Sequence, residues 1–117
     1  MRYILLIYAN ETEWESKSPA EQEAVVREHG VLDDELVKAG KWKACDALQP
    51  TRTATTVRVR EGKRLVTGGP FAETREQLGG FYVVDARDLD DAIAVASRLP
   101  PARWGAIEVR PLWEAPS

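Results

Sequence analysis

The sequence has little of the residue types that build disulfide frameworks and metal centres. Its 117 residues include one cysteine, Cys45, and one histidine, His29. A single cysteine excludes an internal disulfide and a cysteine cluster for metal, and a single histidine excludes the common histidine-rich metal sites. The glycine-rich stretch GGPFAET lacks the Lys-Ser/Thr of a phosphate-binding loop, and no Ser or Cys lies in a nucleophile motif. We therefore expect no metal site and no cofactor.

Long apolar runs and blocks of basic charge are also missing. No run approaches the roughly 18 residues of a membrane-spanning helix. The first residues, MRYILLIYANETEW, lack the basic start and cleavage site of a signal peptide. Lys and Arg total 16 against 19 acids, a net charge of −3, with no interleaving of basic and aromatic residues. These absences argue against membranes and nucleic acids as partners and favour a cytoplasmic protein.

The composition that is present is that of one soluble globular domain. Apolar residues make up 44% and charged residues 30% of the chain, which is ordinary for a protein with a packed core. A length of 117 residues is close to the commonest domain size. We assign residues 1–117 to a single domain, of which 114–117 form a short tail.

Hydrophobic periodicity and capping signals predict two helices among several strands. Ser18, Pro19 and Glu21 form a capping box with proline at the first helical position, so a helix begins there and ends at Gly40. Asp88 caps a second helix, whose predicted buried face is Leu89, Ile93, Ala96 and Leu99. Residues 10–17 are interpreted as a loop. Strands are predicted over residues 2–8, 42–48, 80–85 and 106–113, with a β-hairpin over 53–60 and 63–67.

This order of elements favours an α+β fold, a ferredoxin-like α/β sandwich with an added β-hairpin. Strand residues 3–7 and 81–84 are apolar at every position, whereas two helices can cover only one face of the sheet. Large apolar faces are rarely left exposed on monomers. The simplest cover is the same face of a second copy, related by a two-fold axis. We therefore expect a homodimer.

The stretch VTGGPFAETREQLGGFYVVD, from Val66 to Asp85, resembles the signature of the DGPF group in the YCII-related family. That signature runs Asp-Gly-Pro-Phe-Ala-Glu-Thr-Lys-Glu and then Gly-Gly-Phe/Tyr. The similarity extends from MRYILLIY through ATTVRVR to EVRP, with Gly68 in place of Asp and Arg75 in place of Lys. The resemblance implies a ferredoxin-like dimeric α/β barrel of undefined activity. It also implies an association with extracytoplasmic-function sigma factors.

His29 is the first candidate catalytic residue. Imidazole titrates near neutral pH, which suits a general acid or base. The resemblance implies a histidine on this helix paired with an aspartate from an Asp-Pro step after the second helix, but here that step reads Leu99-Pro100. His29 is therefore either a partly buried structural histidine or a site residue. Glu73 is the second candidate, because it could supply the missing carboxylate or simply cap a short turn.

The remaining candidates are ligand-binding residues in the loops around a predicted cleft between the sheet and the first helix. Tyr8 ends the first strand and Trp14 follows it, although an aromatic residue there can equally belong to the core. We expect Gly68–Gln77 to be an ordered loop at the rim, anchored by burial of Phe71. Such an anchor would hold Glu73 and Thr74 in fixed positions. Phe71, Thr74 and Arg75 are the ligand-binding candidates of this loop.

Two functions remain open at this point. One is cofactor-free acid/base catalysis on a small organic molecule, or binding of that molecule, in the cleft. The other is a non-catalytic accessory module that binds a ligand or a protein in a sigma-factor system. The missing aspartate favours the second function, and the polar loop favours neither.

Overall fold

The computed structural model describes residues 1–116 as a four-stranded antiparallel sheet with helices packed on one face. Strands and helices follow in the order β1 (Arg2–Ala9), α1 (Glu11–Glu15), α2 (Pro19–Lys38), β2 (Trp42–Ala47), β3 (Thr55–Arg60), β4 (Lys63–Gly68), β5 (Gln77–Asp85), α3 (Leu89–Arg98) and β6 (Ala106–Pro111). Short 3-10 turns cover Thr51–Thr53 and Pro100–Arg103. The sheet order is β2-β5-β1-β6, and β3 pairs only with β4. The predicted α+β, ferredoxin-like fold with an added hairpin is confirmed.

The helix starts follow from local capping chemistry. The Ser18 side chain accepts a hydrogen bond from Glu21 N, and the Glu21 side chain accepts one from Ser18 N, so the predicted capping box is present. The prediction of a loop over residues 10–17 is wrong, because α1 forms there. Asn10 caps it by accepting from Glu13 N at 3.1 Å. Asn at the N-cap and acids in the first turn both favour a helix start.

Strand β5 begins at Gln77, three residues before its predicted start, and its pair of glycines adapts it to both neighbouring strands. The register with β1 shifts between Ile7 and Tyr8, which leaves one extra residue on β5 as a bulge. A side chain at Gly80 would place its Cβ 2.9 Å from the backbone oxygen of Asp46. Glycine at position 80 therefore allows β2 to approach β5 closely.

The core lies between the sheet and the α2 and α3 helices. Its buried apolar residues are Tyr3, Leu5, Ile7, Leu32, Leu36, Tyr82, Val84, Ala86, Ala92, Val95, Ala96 and Leu99. The predicted buried face of α3 is wrong at two positions, because Leu89 and Ile93 are 51% and 45% exposed. The buried face instead runs through Ala92, Val95, Ala96 and Leu99. These residues also have helical spacing, but their face begins at Ala92 and not at Leu89.

A buried ion pair fixes that orientation of α3. Asp91 is 6% exposed, and its Oδ1 lies 2.6 Å from the Lys41 ammonium group. Its Oδ2 accepts from the backbone N–H of Arg87 at 3.0 Å. The hydrogen bond from Lys41, followed by that from Arg87, lowers the pKa of Asp91 to about 2. Asp91 thus occupies the inward side of the first turn and leaves Leu89 outside.

Two apolar surfaces have no cover within residues 1–116. The outer face of the sheet carries the residues of β1 and β5 that alternate with the core residues, namely Ile4, Leu6, Tyr8, Phe81 and Val83, and all are only partly buried. The second surface is the β3–β4 hairpin, Thr55–Gly68, which we call the arm. Its strands pack on each other and not closely on any other described helix or strand. The radius of gyration is 16.3 Å, against about 13 Å for a compact domain of this length.

Candidate active site

A cavity of about 760 Å³ lies between α2 and the sheet, at the end where β1 leads into α1. Its apolar walls come from α1, α2, the sheet and the segments that follow β2 and α3. They are Ile7, Trp14, Val25, Val26, Leu48, Pro50, Pro101 and Trp104. Its polar lining includes Glu11, Glu15, Gln22, His29, Asp33, Arg52, Gln77 and Tyr82. Apolar walls with a few polar groups are the usual composition of a small-molecule site.

Hydrogen bonds between elements hold the mouth of this cavity together. The Glu11 carboxylate accepts from Thr51 N at 2.6 Å and from Thr51 Oγ1 at 2.8 Å. The side chain of Gln77 accepts from Glu11 N at 3.0 Å. Arg52 donates to Glu15 at 2.7 Å. The short helix α1 is thereby joined to β5 and to the Thr51–Thr53 turn, and its Trp14 stays in the wall.

The floor of the cavity holds a chain of three hydrogen-bonded side chains. Nδ1 of His29 lies 3.1 Å from the hydroxyl of Tyr82. The same hydroxyl donates a short hydrogen bond to Oδ1 of Asp33. His29 and Asp33 are four residues apart on α2 and therefore share one face of the helix. Tyr82 is 4% exposed and comes from β5, so the chain joins a helix to the sheet.

The bonding pattern fixes the tautomer of His29. A carboxylate only accepts hydrogen bonds, so the single proton of the Tyr82 hydroxyl points to Asp33. The Tyr82 oxygen must then accept from Nδ1–H of His29, which leaves Nε2 without a proton. Nε2 has no hydrogen-bond partner within residues 1–116 and is solvent-accessible, since no described side-chain nitrogen or oxygen is both buried and unpartnered. His29 is thus oriented like the histidine of a hydrolase triad, with a free basic nitrogen.

The pKa shifts agree with this assignment. Burial lowers the pKa of His29 below its ordinary value of 6.5, while the nearby Asp33 and Glu28 carboxylates oppose the shift. Burial and the hydrogen bond to Asp33 raise the pKa of Tyr82 far above its ordinary 10. At neutral pH the histidine is therefore an uncharged imidazole whose Nε2 can accept a proton, and the tyrosine keeps its proton.

A comparison of the sequence with known families identifies the group. The profile of the YCII-related domain matches residues 1–116. The chain belongs to the YCII-related family. It is also 41% identical over 114 residues to an uncharacterized protein of Rhizobium meliloti (strain 1021), an alignment that covers 96% of this chain and 92% of the relative.

In this YCII-related chain position 99 holds a buried leucine and not a carboxylate. The resemblance placed an aspartate at this position, but Leu99 is 0% exposed and belongs to the core between α3 and the sheet. Asp33 provides a carboxylate from α2 itself, through Tyr82. Cys45 lies at the same end, with its sulfur 4.0 Å from Oδ2 of Asp33.

The structure places two of the seven predicted site residues, His29 and Trp14, in the lining of the cavity. Tyr8 is not in that lining. It pairs with Leu78 on β5 and, like Ile4 and Leu6, lies on the outer face of the sheet. Glu73 and Thr74 are exposed residues of the loop Gly69–Glu76, which we call the motif loop, and neither lines the cavity. The same holds for Arg75, whose backbone oxygen accepts from Asn10 Nδ2 at 3.4 Å.

The prediction that burial of Phe71 anchors the motif loop is wrong, because Phe71 is 78% exposed. The loop is held instead by hydrogen bonds, which include short-range bonds within the loop besides the bond from Asn10 to the Arg75 oxygen. Thr74 Oγ1 donates to the Glu76 oxygen at 2.6 Å, and Gln77 Nε2 donates to the Thr74 oxygen at 2.6 Å. Polar turns that satisfy their own backbone groups need no apolar anchor.

Sequence reasoning missed Asp33 and Tyr82. The signal for Asp33 is its spacing of four residues from the only histidine, which puts both side chains on one face of α2. Tyr82 gives a weaker signal, since it is one apolar residue within a run of apolar residues. Among residues 1–116 no helix is long and apolar enough to cross a membrane, and no three His, Cys, Asp or Glu side chains cluster as metal ligands do.

Proposed function

We propose that this YCII-related protein binds a small organic molecule in the cavity and that Nε2 of His29 takes a proton from it without a cofactor. The observation that carries the proposal is the His29–Tyr82–Asp33 chain, which leaves an unprotonated nitrogen beside an apolar cavity. General bases need both reach and a suitable protonation state. His29 is the catalytic residue, and Tyr82 and Asp33 are positioning residues.

The charges around the cavity indicate the class of molecule. Glu11, Glu15 and Asp33 are acidic, and the basic residue of the lining, Arg52, already pairs with Glu15. An anionic molecule would meet carboxylates and no free cation, which costs free energy in a partly buried site. An uncharged or cationic molecule with an apolar body fits the lining better, because Trp14 and the aliphatic walls can pack against it.

The proton transfer follows from the same geometry. A C–H or O–H group of the bound molecule gives its proton to Nε2, and the electron pair of that bond remains on the molecule. The imidazolium that forms is stabilised by Asp33, because Nδ1–H donates to Tyr82 and Tyr82 donates to Asp33. The proton can then return to another atom of the molecule, so the net reaction is an isomerisation or an exchange.

Deuterium exchange at the acidic C–H groups of phenylacetone tests the proposal, because this probe is uncharged and apolar and because exchange of these hydrogens requires their loss as protons. We expect exchange with the wild-type protein to rise with pH through the lowered pKa of His29 and then level off. His29→Gln should abolish the enhancement. Asp33→Asn should reduce it by about ten- to a hundredfold while leaving probe binding intact. Glu73→Gln is the control in the motif loop and should behave as wild type.

Three matched probes test the ligand class separately: phenethylamine, phenethyl alcohol and phenylacetate. Amide shift changes should map the amine and the alcohol to the cavity. Tighter binding of phenylacetate than of phenethylamine would contradict the charge argument. Binding without any exchange would refute proton transfer and favour the non-catalytic binding module, whose sigma-factor association stays a prediction.

We also propose that the chain acts as a homodimer. The outer face of the sheet supports this, since Ile4, Leu6 and Phe81 form an apolar surface that no helix of residues 1–116 covers. Packing such a face against its two-fold copy removes it from water at both subunits. Sedimentation of the wild-type chain over a dilution series is the direct measurement.

A further inference from the structure

The arm exposes an apolar face that its own chain does not use. Val57, Val59 and Val66 are 58%, 61% and 57% exposed. Val57 pairs directly with Val66, and Val59 lies two residues further along β3, so the three side chains share one face. A two-stranded hairpin without further packing is marginally stable in water. The arm therefore needs a surface to pack on.

The arm also carries charge of the opposite sign to the rest of the chain. Between Thr55 and Gly68 there are four basic residues and one acid, a formal charge of +3. The residues are Arg58, Arg60, Lys63, Arg64 and the acid Glu61. Because the whole chain carries −3, the residues outside the arm carry −6. A copy of this chain thus presents an acidic body to the basic arm of another copy.

The two ends of the arm are held together by hydrogen bonds. Gly69 N donates to the Ala54 oxygen at 2.7 Å, and Thr56 Oγ1 donates to the Gly69 oxygen at 2.9 Å. These bonds close the hairpin where it leaves the sheet. The molecule is flat and wide, 48 × 47 × 19 Å. The arm is a defined projection and not a loop folded back on its own domain.

We propose that the arm docks on the acidic body of a second copy of this chain, and that the second copy docks its own arm in return. The proposal rests on the homodimer proposed above and adds a second contact to the sheet face. A symmetric pair buries both valine faces. Arg64 pairs with Val59 and shares the valine face, whereas Arg58, Arg60 and Lys63 lie on the opposite face of the arm. Arg64 therefore meets the body of charge −6 within the contact, and the other basic residues attract it from the rim. A nucleic acid would satisfy the arginines, but it would leave the valines in water and would be repelled by the acidic body.

Paired valine substitutions test the contact. Val57→Thr with Val59→Thr keeps the shape and strand propensity but makes the arm face polar. Val31→Thr with Val37→Thr is the matched control on α2, since these valines are 60% and 58% exposed. Analytical ultracentrifugation should show a dimer dissociation constant at least about tenfold higher for the arm variant and unchanged for the helix variant. Equal dimer stability of all three proteins would overturn the proposal.

The salt dependence provides a second measurement that does not depend on the valines. Raising NaCl from about 0.05 M to about 0.5 M should weaken the wild-type dimer, because the arm and the body attract by charge. Arg64→Gln should flatten that dependence, because Arg64 shares the valine face, and Arg58→Gln with Arg60→Gln on the opposite face should flatten it less. A dimer that Leu6→Thr abolishes but no arm variant affects would refute the arm contact and leave the sheet contact. A wild-type monomer, or an arm that binds a DNA duplex in place of a second copy, would refute the proposed docking.

Discussion

The floor of the cavity and the motif loop Gly69–Glu76 both present polar side chains next to β5, but their hydrogen bonds have different ranges. In the floor, Tyr82 of β5 bonds to His29 and Asp33 of α2, which are 53 and 49 residues away in the chain. In the motif loop, the Thr74 side chain bonds to a residue two positions away, and the longer-range bonds reach only backbone groups, those of Gly69 and Arg75. Long-range bonds between side chains fix the relative positions of functional groups, whereas the bonds of the loop fix its backbone.

The comparison shows that a long sequence signature need not coincide with the chemical groups of a site. The GGPFAETRE segment is conspicuous because glycine, proline and charges make an unusual turn. The His29 and Asp33 pair is inconspicuous because an ordinary helix separates the two by four residues. If this is so, substitutions in the cavity floor should be costly and substitutions in the motif loop should be tolerated.

The largest expected effect is that of Gly80→Ala, at the edge of the cavity floor. The new Cβ would lie 2.9 Å from the Asp46 oxygen and 3.5 Å from Ala47 Cα. Both are backbone atoms, so β2 must move away from β5. We expect a loss of about 1–3 kcal/mol in the free energy of unfolding, measured by urea denaturation. Gly79→Ala and Gly68→Ala are the controls, since nothing lies within 4 Å of either new Cβ.

A cost of Gly68→Ala as large as that of Gly80→Ala would contradict the comparison. It would mean that Gly68, the first residue of the GGPFAETRE segment, is packed in solution as tightly as the β2–β5 contact.

Tyr82→Phe should have the next largest effect. The ring stays in place, but His29 loses its acceptor and Asp33 loses its donor. Leaving partly buried polar groups without partners costs about 1–2 kcal/mol here, again measured by urea denaturation. Tyr8→Phe is the matched control on β1, because no hydrogen bond from the Tyr8 hydroxyl is formed within residues 1–116. Equal costs for the two variants would contradict the hydrogen-bonded floor.

The pH dependence of stability should follow His29, with a smaller effect. Burial holds its folded pKa below the unfolded value of 6.5, so the unfolded chain binds the proton first as pH falls. Stability is therefore full above about pH 6.5 and decreases as pH falls through the folded pKa. Asp33→Asn removes the carboxylate that raises the pKa of His29, so this decrease should extend to lower pH.

Asp34→Asn changes the neighbouring exposed residue and is the control. NMR titration of the His29 ring measures the shift directly. A ring that titrates identically in the Asp33 and Asp34 variants would contradict the proposed coupling.

The parts of the structure that sequence could predict are those set by local chemistry. The capping box at Ser18 and the N-cap at Asp88 are local signals, and both helices begin where expected. The alternation of apolar and polar residues over 53–67 predicted the hairpin. The apolar runs at residues 3–7 and 81–84 predicted strands of the sheet. The same local signals placed His29 within the first predicted helix, which is α2.

The parts that could not be predicted depend on contacts between distant residues. The buried face of α3 is decided by Asp91 reaching Lys41, which is 50 residues away. The pairing of Asp33 with Tyr82 depends on the register between β5 and its neighbours, including the bulge beside Gly79. The hydrophobic periodicity of a single segment predicts neither contact, because each forms only when the sheet has folded.

The smallest expected effect is that of Phe71→Ala in the motif loop. Phe71 is 78% exposed, so its removal deletes little buried area and opens no cavity. We expect the free energy of unfolding to change by less than about 0.5 kcal/mol, as for ordinary surface substitutions. Urea denaturation at protein concentrations below the dimer dissociation constant isolates the single chain. A loss above about 1.5 kcal/mol under those conditions would show that Phe71 is packed within its own domain. The motif loop would then be as firmly held as the cavity floor, and Glu73 and Thr74 would regain the fixed positions that a site requires.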